Sequence, residues 1–217
     1  MKSAVLFDLD GTLTDPKPGI TRSIAYALER MGRPVPDLDT LTWCIGPPLA
    51  LSFQTLLGCD DPVETQRAVD FYRERFGDVG MFENSVYEGV PEMLSAVAAL
   101  NRVFVATSKP IVFAERIVEH FGLRSFFDGL YGSELDGRLA DKGDLISHVL
   151  RAESISAEAA TMVGDREHDV LGARRADVPC VGVLYGYGTV EELRAAGAAV
   201  LCRTPAEVAE LLVTRCT

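Results

Sequence analysis

Five short apolar runs, each continuous rather than alternating, constrain this chain most. They are Val5-Leu6-Phe7, Val103-Phe104-Val105-Ala106, Gly129-Leu130-Tyr131-Gly132, Ala160-Thr161-Met162-Val163 and Cys180-Val181-Gly182-Val183-Leu184. A strand that is apolar on both faces must be covered on both faces, which is the situation of a parallel sheet between helical layers. Helical spacings fill the gaps. Val90-Pro91 opens a helix with proline at its first position and Met93, Leu94, Val97 and Leu100 as its inner face. Phe113, Ile117 and Phe121 line a second, stopped by Gly122, and Leu145, Ile146 and Val149 lead a third. Val170 and Ala173 lead a fourth, and two capping boxes, Thr189-x-x-Glu192 and Thr204-x-x-Glu207, start the last helices. This alternation predicts an α/β fold with a doubly wound, mostly parallel, Rossmann-like sheet.

The alternation is interrupted once. From Pro16 to Asn84 the spacing is helical and no strand is evident. Ile20, Ile24, Ala27, Leu28 and Met31 form one stripe, ended by Gly32, and Val69, Tyr72 and Phe76 form another, ended by Gly77. The expected organisation is an α/β core of residues 1–15 and 85–217 with an all-helical domain, 16–84, inserted after the first strand. Pro16-Lys17-Pro18-Gly19 and Asn84-Ser85 read as hinge-like flanks.

The 217 residues carry a formal charge of −11, which disfavours nucleic-acid polymers and anionic membranes as partners. No apolar run approaches the ~20 residues of a membrane span, and the N-terminus lacks the pattern of a signal peptide. Cys44, Cys59, Cys180, Cys202 and Cys216 are odd in number and show no C-x-x-C spacing. They read as reduced thiols of a cytoplasmic protein. So acidic a surface also repels phosphate esters, so a site for one needs local cations, and a bound metal is the obvious supplier.

Ligands of open parallel sheets bind beyond the carboxyl ends of the strands. The first run delivers Asp8 and Asp10, two residues apart and on one face if the strand continues, followed by a Gly11-Thr12 turn. The second delivers Thr107, Ser108 and Lys109, and the fourth delivers Gly164-Asp165-Arg166-Glu167-His168-Asp169. Asp141-Lys142 stands before a helix between them. Each piece has an ordinary structural reading: a strand end for Thr107, a helix start for Asp141-Lys142, a capped helix for Asp165 and Asp169. One site accounts for all of them together.

In this order and spacing, Asp8-x-Asp10-Gly11-Thr12, Thr107-Ser108-Lys109, Lys142 and Gly164-Asp165-x-x-x-Asp169 resemble the motifs of haloacid dehalogenase superfamily phosphatases, nearest the phosphoglycolate phosphatase-like branch. The resemblance covers nearly the whole chain, and the helical insert matches that family's small cap domain, which closes over the core to exclude water. It implies a nucleophilic Asp8, which forms an aspartyl-phosphate, and an Asp10 that protonates the leaving alkoxide and then activates water. It implies Mg²⁺ held by the carboxylates of Asp8 and Asp165 and the backbone carbonyl of Asp10. Thr107 and Ser108 would hold phosphoryl oxygens with Lys109 near the entrance, Lys142 would neutralise charge, and Asp169 would orient Lys142 or a metal-bound water.

His120, His148 and His168 have no partners at metal-ligand spacing. Trp43-Cys44-Ile45-Gly46-Pro47-Pro48 reads equally as a substrate-touching loop or as core packing. Gly186 and Gly188 do not complete a dinucleotide fingerprint, and no Walker P-loop or G-x-S-x-G elbow exists. The expectation is therefore a Mg²⁺-dependent phosphatase of a small phosphorylated metabolite, with phosphoglycolate leading, acting as a monomer or homodimer. A 5′-nucleotidase is the alternative; a phosphomutase and a phospho-ligand-binding protein rank below it.

Overall fold

A computed structural model describes residues 3–214, so Cys216 lies outside the described residues. The chain forms two compact units, one of Met1–Asp15 with Val86–Thr217 and the other of Pro16–Ser85. In chain order, β1 (Ala4–Phe7) and β2 (Thr14–Asp15) precede α1 (Lys17–Arg30), α2 (Leu49–Leu57) and α3 (Pro62–Asp78). Then follow β3 (Ser85–Val86), α4 (Val90–Leu100), β4 (Arg102–Pro110), α5 (Ile111–His120), β5 (Gly129–Ser133), α6 (Lys142–Ala152) and β6 (Ala160–Gly164). The chain ends through α7 (Glu167–Arg175), β7 (Cys180–Val183), α8 (Val190–Ala196), β8 (Val200–Cys202) and α9 (Pro205–Thr214).

The larger unit is built on a six-stranded parallel sheet in the order β5-β4-β1-β6-β7-β8. The doubly wound fold expected from the apolar runs is the fold observed. β1 lies between β4 and β6, with Val5 opposite Val103 and Thr161, and Phe7 opposite Val105 and Val163. The strand order reverses around β1, which makes its carboxyl end the crevice of the sheet. On one face Ala4, Leu6, Phe104, Ala106 and Met162 pack with Leu145, Ile146 and Val149 of α6 and Ala173 of α7. Val5, Phe7, Val103 and Val105 on the other face are also buried, which is why these strands carry no alternation.

Three local readings change. Leu100 is exposed, because α4 ends there and its inner face stops at Val97. Helix α5 buries Ala114, Ile117 and Val118, leaving Phe113 and Phe121 half-buried; β4 runs on to Pro110, which rotates the start of the following helix. The sixth strand, Val200–Cys202, is too short to stand out from its flanking helices.

In the smaller unit α1 packs against α3. Ile20, Ile24, Ala27 and Leu28 of α1 and Ala68, Val69, Tyr72 and Phe76 of α3 are buried, and Tyr72 stacks on Phe76 at 5.1 Å. The stretch 38–44 is a 3₁₀ turn that buries Leu41 and Cys44 and leaves Trp43 39% exposed, so tryptophan does not pack the core here. Among the described residues no helix is long and apolar enough to cross a membrane, and Cys44, Cys59, Cys180 and Cys202 form no disulfide.

Candidate active site

The site begins where β1 stops. Asp8 extends the strand by donating its N–H to the Val163 carbonyl at 2.9 Å. The chain then folds back at once: the Leu9 carbonyl accepts from Leu13 at 2.9 Å and Thr14 at 3.0 Å, and Gly11 donates to Thr14 at 2.7 Å. Gly11 has φ +87°, and a Cβ there would lie 2.2 Å from a carboxylate oxygen of Asp165. No other residue meets both demands.

Among the described residues, every buried Asp, Glu, Lys or Arg belongs to this place: Asp8, Asp10, Lys109, Lys142, Asp165 and Asp169. Asp141 caps α6 by accepting the Asp144 N–H at 3.0 Å, which sets Lys142 at the first helical position. From there Lys142 Nζ reaches Asp8 Oδ1 at 2.7 Å, Asp169 Oδ1 at 2.8 Å and the Ala106 carbonyl at 3.0 Å. Lys109 Nζ lies 2.7 Å from Asp10 Oδ2. Asp165 accepts from the Thr12 hydroxyl at 3.2 Å and from the Tyr187 N–H at 2.8 Å. Asp169 Oδ2 accepts the Arg166 N–H at 3.1 Å, so this residue both starts α7 and holds Lys142.

Burial pushes the Asp165 carboxyl well above the ordinary carboxylate range, and the neighbouring Asp169 and Asp8 push it further. Asp10 and Asp169 are also raised by burial, against the opposing pull of Lys109 and Lys142 respectively. Burial alone would lower Lys142, but Asp169 and Asp8 outweigh it and hold the ammonium charged.

Four buried carboxyl groups face only two ammonium groups, an excess of two acidic side chains. One oxygen from each of Asp8, Asp165 and Asp169 lies within 4.8 Å of the others. Asp10 Oδ1 is buried without a hydrogen-bond partner. An all-oxygen donor set with this excess fits a hard divalent cation.

The structure therefore brings Asp8, Asp10, Lys142, Asp165 and Asp169 together. Thr107 is buried on β4, its hydroxyl accepting the Lys109 N–H at 3.3 Å, and the Ser108 carbonyl accepts from Ser133 at 2.8 Å. Lys109, expected near the entrance among the phosphate-binding residues, pairs with Asp10. Two contacts escaped the sequence reading: Tyr187 on Asp165, and Glu192, whose Oε1 accepts from Arg166 Nε at 2.8 Å and Glu167 N–H at 2.9 Å. The Tyr185–Gly188 repeat was the available signal.

Residues 5–183 match the haloacid dehalogenase-like hydrolase family. The chain belongs to that family. It is a phosphatase of that family, as the motif order led one to expect. A 5′-nucleotidase of Pseudomonas aeruginosa is 50% identical over 192 residues, 88% of this chain and 86% of that protein. A Mycobacterium tuberculosis protein named tyrosine-protein kinase PtkA is 37% identical over 86% of this chain and 64% of its own length. A phosphoglycolate phosphatase of Colwellia psychrerythraea is 29% identical over 90% of each chain. A solved structure of a predicted phosphatase from Clostridium acetobutylicum superposes with TM-score 0.95 at 42% identity, covering 99% of both chains.

Proposed function

We propose that this phosphatase is a Mg²⁺-dependent 5′-nucleotidase that works through an aspartyl-phosphate on Asp8. The observation that carries the chemistry is the Lys142 ammonium shared between Asp8 and Asp169, with Asp165 close enough to complete a cation site. Asp8, Asp165 and Asp169 are the side chains available to it, with Asp8 and Asp165 holding the ion and Asp169 turned to Lys142. Bound there, Mg²⁺ would neutralise the carboxylates and draw charge from the phosphoryl oxygens.

Asp8 attacks phosphorus in line; the P–O bond to the substrate alkoxide breaks as the Asp8 O–P bond forms. Asp10 gives its proton to the departing alkoxide, then takes one from the water that hydrolyses the acyl phosphate and restores Asp8. Lys142 offsets the charge of Asp8 so that the phosphoryl group can approach. Thr107 and the Ser108 N–H are assigned to its peripheral oxygens. The unit Pro16–Ser85 is read as the family's helical cap.

For the substrate, the sequence-based order is reversed. The relative named a 5′-nucleotidase shares half of its aligned residues with this chain, whereas the phosphoglycolate phosphatase shares far fewer. Steady-state kinetics with Mg²⁺ on nucleoside 5′-monophosphates and on phosphoglycolate test the assignment. The expected kcat/KM is about tenfold or more higher for at least one nucleotide, about 1.4 kcal/mol of transition-state preference. A preference for phosphoglycolate restores the original order, and activity unchanged by chelation defeats the metal-dependent reading.

A further inference from the structure

Two separate loops meet at Asp165, and only one belongs to the motifs. The loop between β7 and α8 and the first turn of α8 contribute nothing that the chemistry above uses, yet together they grip the segment Asp165–Glu167 at both ends. At one end the Tyr187 N–H donates to Asp165 Oδ2 at 2.8 Å. At the other, Glu192 Oε1 accepts from Arg166 Nε and the Glu167 N–H. The grip is too close for side chains. A Cβ on Gly186 would stand 2.2 Å from the Gly11 carbonyl oxygen and 2.5 Å from Asp165 Cβ, and one on Gly188 would stand 1.9 Å from the Asp165 carbonyl oxygen.

Glycines on both sides of Tyr187 bring the backbone into contact but leave it conformationally free. A fixed point comes from the phenol. The Tyr187 hydroxyl donates to the Asp15 carboxylate, where the chain leaves the core after β2. Tyr87 hydrogen-bonds the same phenol and packs edge-on against Tyr185 at 5.3 Å.

We infer that Tyr187 is a positioning residue for the cation site: its phenol, anchored on Asp15, fixes the backbone N–H that aims the Asp165 carboxylate toward Asp8. The inference rests on the cation reading proposed above. A ligand oriented before the ion arrives loses less freedom on binding it, and outer partners of metal ligands commonly account for about 10–100-fold in affinity. Tyr187→Phe keeps the ring and the N–H and removes only the anchor, one bond further out, so the loss expected is about tenfold.

Calorimetric titration of substrate-free protein with MgCl₂ tests this without recourse to turnover. Tyr187→Phe and Asp15→Ala each raise the Mg²⁺ dissociation constant about tenfold, and the double variant is no weaker than either, because both changes delete one bond. Asp15→Asn, which retains an acceptor, stays within about threefold of the native affinity. The activity lost by Tyr187→Phe returns as Mg²⁺ is raised. Native affinity in a folded Tyr187→Phe overturns the inference, as do losses that multiply in the double variant. Should Tyr187→Phe not melt cooperatively, Asp15→Ala decides alone, and native affinity there overturns it. A native protein that takes up no Mg²⁺ fails the cation reading itself, a distinguishable result.

Discussion

The two units of this chain differ in how deeply they place charge. In the helical unit, Arg75 pairs with Glu83 at 2.8 Å, Arg22 with the same carboxylate at 2.7 Å, Lys17 with Asp39 at 2.8 Å and Arg30 with Glu74 at 3.4 Å. Every one of these side chains keeps contact with water, and Arg75 first of all holds the Glu83 carboxyl below its usual range. Such pairs contribute about 0–1 kcal/mol each. The α/β unit has exposed pairs too, such as Arg175 with Asp141 at 2.8 Å, but it also buries four carboxyl groups around two ammonium groups. Removing those groups from water costs more than their mutual attraction returns, and the excess of negative charge has no structural use. A fold that retains it keeps it for chemistry, at the expense of stability.

Four measurements bear on this contrast. The largest effect is on turnover: Asp8→Asn lowers kcat on the best phosphate ester by at least about a thousandfold, since no other group is placed to accept phosphorus. Rates near the native value would place the buried cluster outside the chemistry. Next comes stability. Lys142→Met strands Asp8 and Asp169 and lowers the unfolding free energy in urea by about 3–5 kcal/mol. Arg75→Met in the helical unit lowers it by about 1 kcal/mol or less. Equal losses would erase the distinction between the units.

A smaller effect is the response to metal. Mg²⁺ at about 100 times its dissociation constant adds about 2.7 kcal/mol, a rise of about 5–10 °C in melting temperature for a chain of this size. Asp165→Asn abolishes that rise, yet melts above the metal-free native protein because a buried charge is gone. The smallest effect is on pH. Burial raises the Asp165 carboxyl above its unfolded value, so the folded state binds a proton that the unfolded state has released. Metal-free stability therefore falls as pH rises from the ordinary carboxylate value through the raised one. Glu83, depressed by Arg75, has the opposite sign: its contribution is present above the ordinary carboxylate value and is lost as pH falls through the depressed one. In melting curves at pH 5 and pH 7 the native protein loses melting temperature relative to Asp165→Asn as the pH rises. No difference between the two would detach Asp165 from the cluster's electrostatics.

Much of this was legible because it is local. The strand β1, the turn at Gly11 and the carboxylates Asp8 and Asp10 all lie within one ten-residue stretch, and the capping Asp141 stands beside the Lys142 it positions. Continuous apolar runs on two-faced strands were enough for the parallel sheet. What escaped depends on residues far apart in sequence. Nothing beside Lys109 says that its ammonium pairs with Asp10. Nothing beside Tyr187 says that it touches Asp165 and Asp15, because that contact exists only once β6 and β7 are neighbours. Strand β8 has three residues, too few to carry a period, and Leu100 and Phe113 were assigned inward by spacing at helix ends where the spacing ceases to apply. For Trp43 the local sequence left loop and packing equally open, and its exposure removes the packing reading.

Crystallography of the protein with Mg²⁺ and beryllium fluoride, a mimic of an aspartate-linked phosphoryl group, tests the central claim most directly. Beryllium is expected on an Asp8 carboxylate oxygen, with an ion about 2.1 Å from oxygens of Asp8 and Asp165 and the Lys142 ammonium beside both Asp8 and Asp169. An ion bound elsewhere, or beryllium fluoride absent from Asp8 while Mg²⁺ is present, would contradict it.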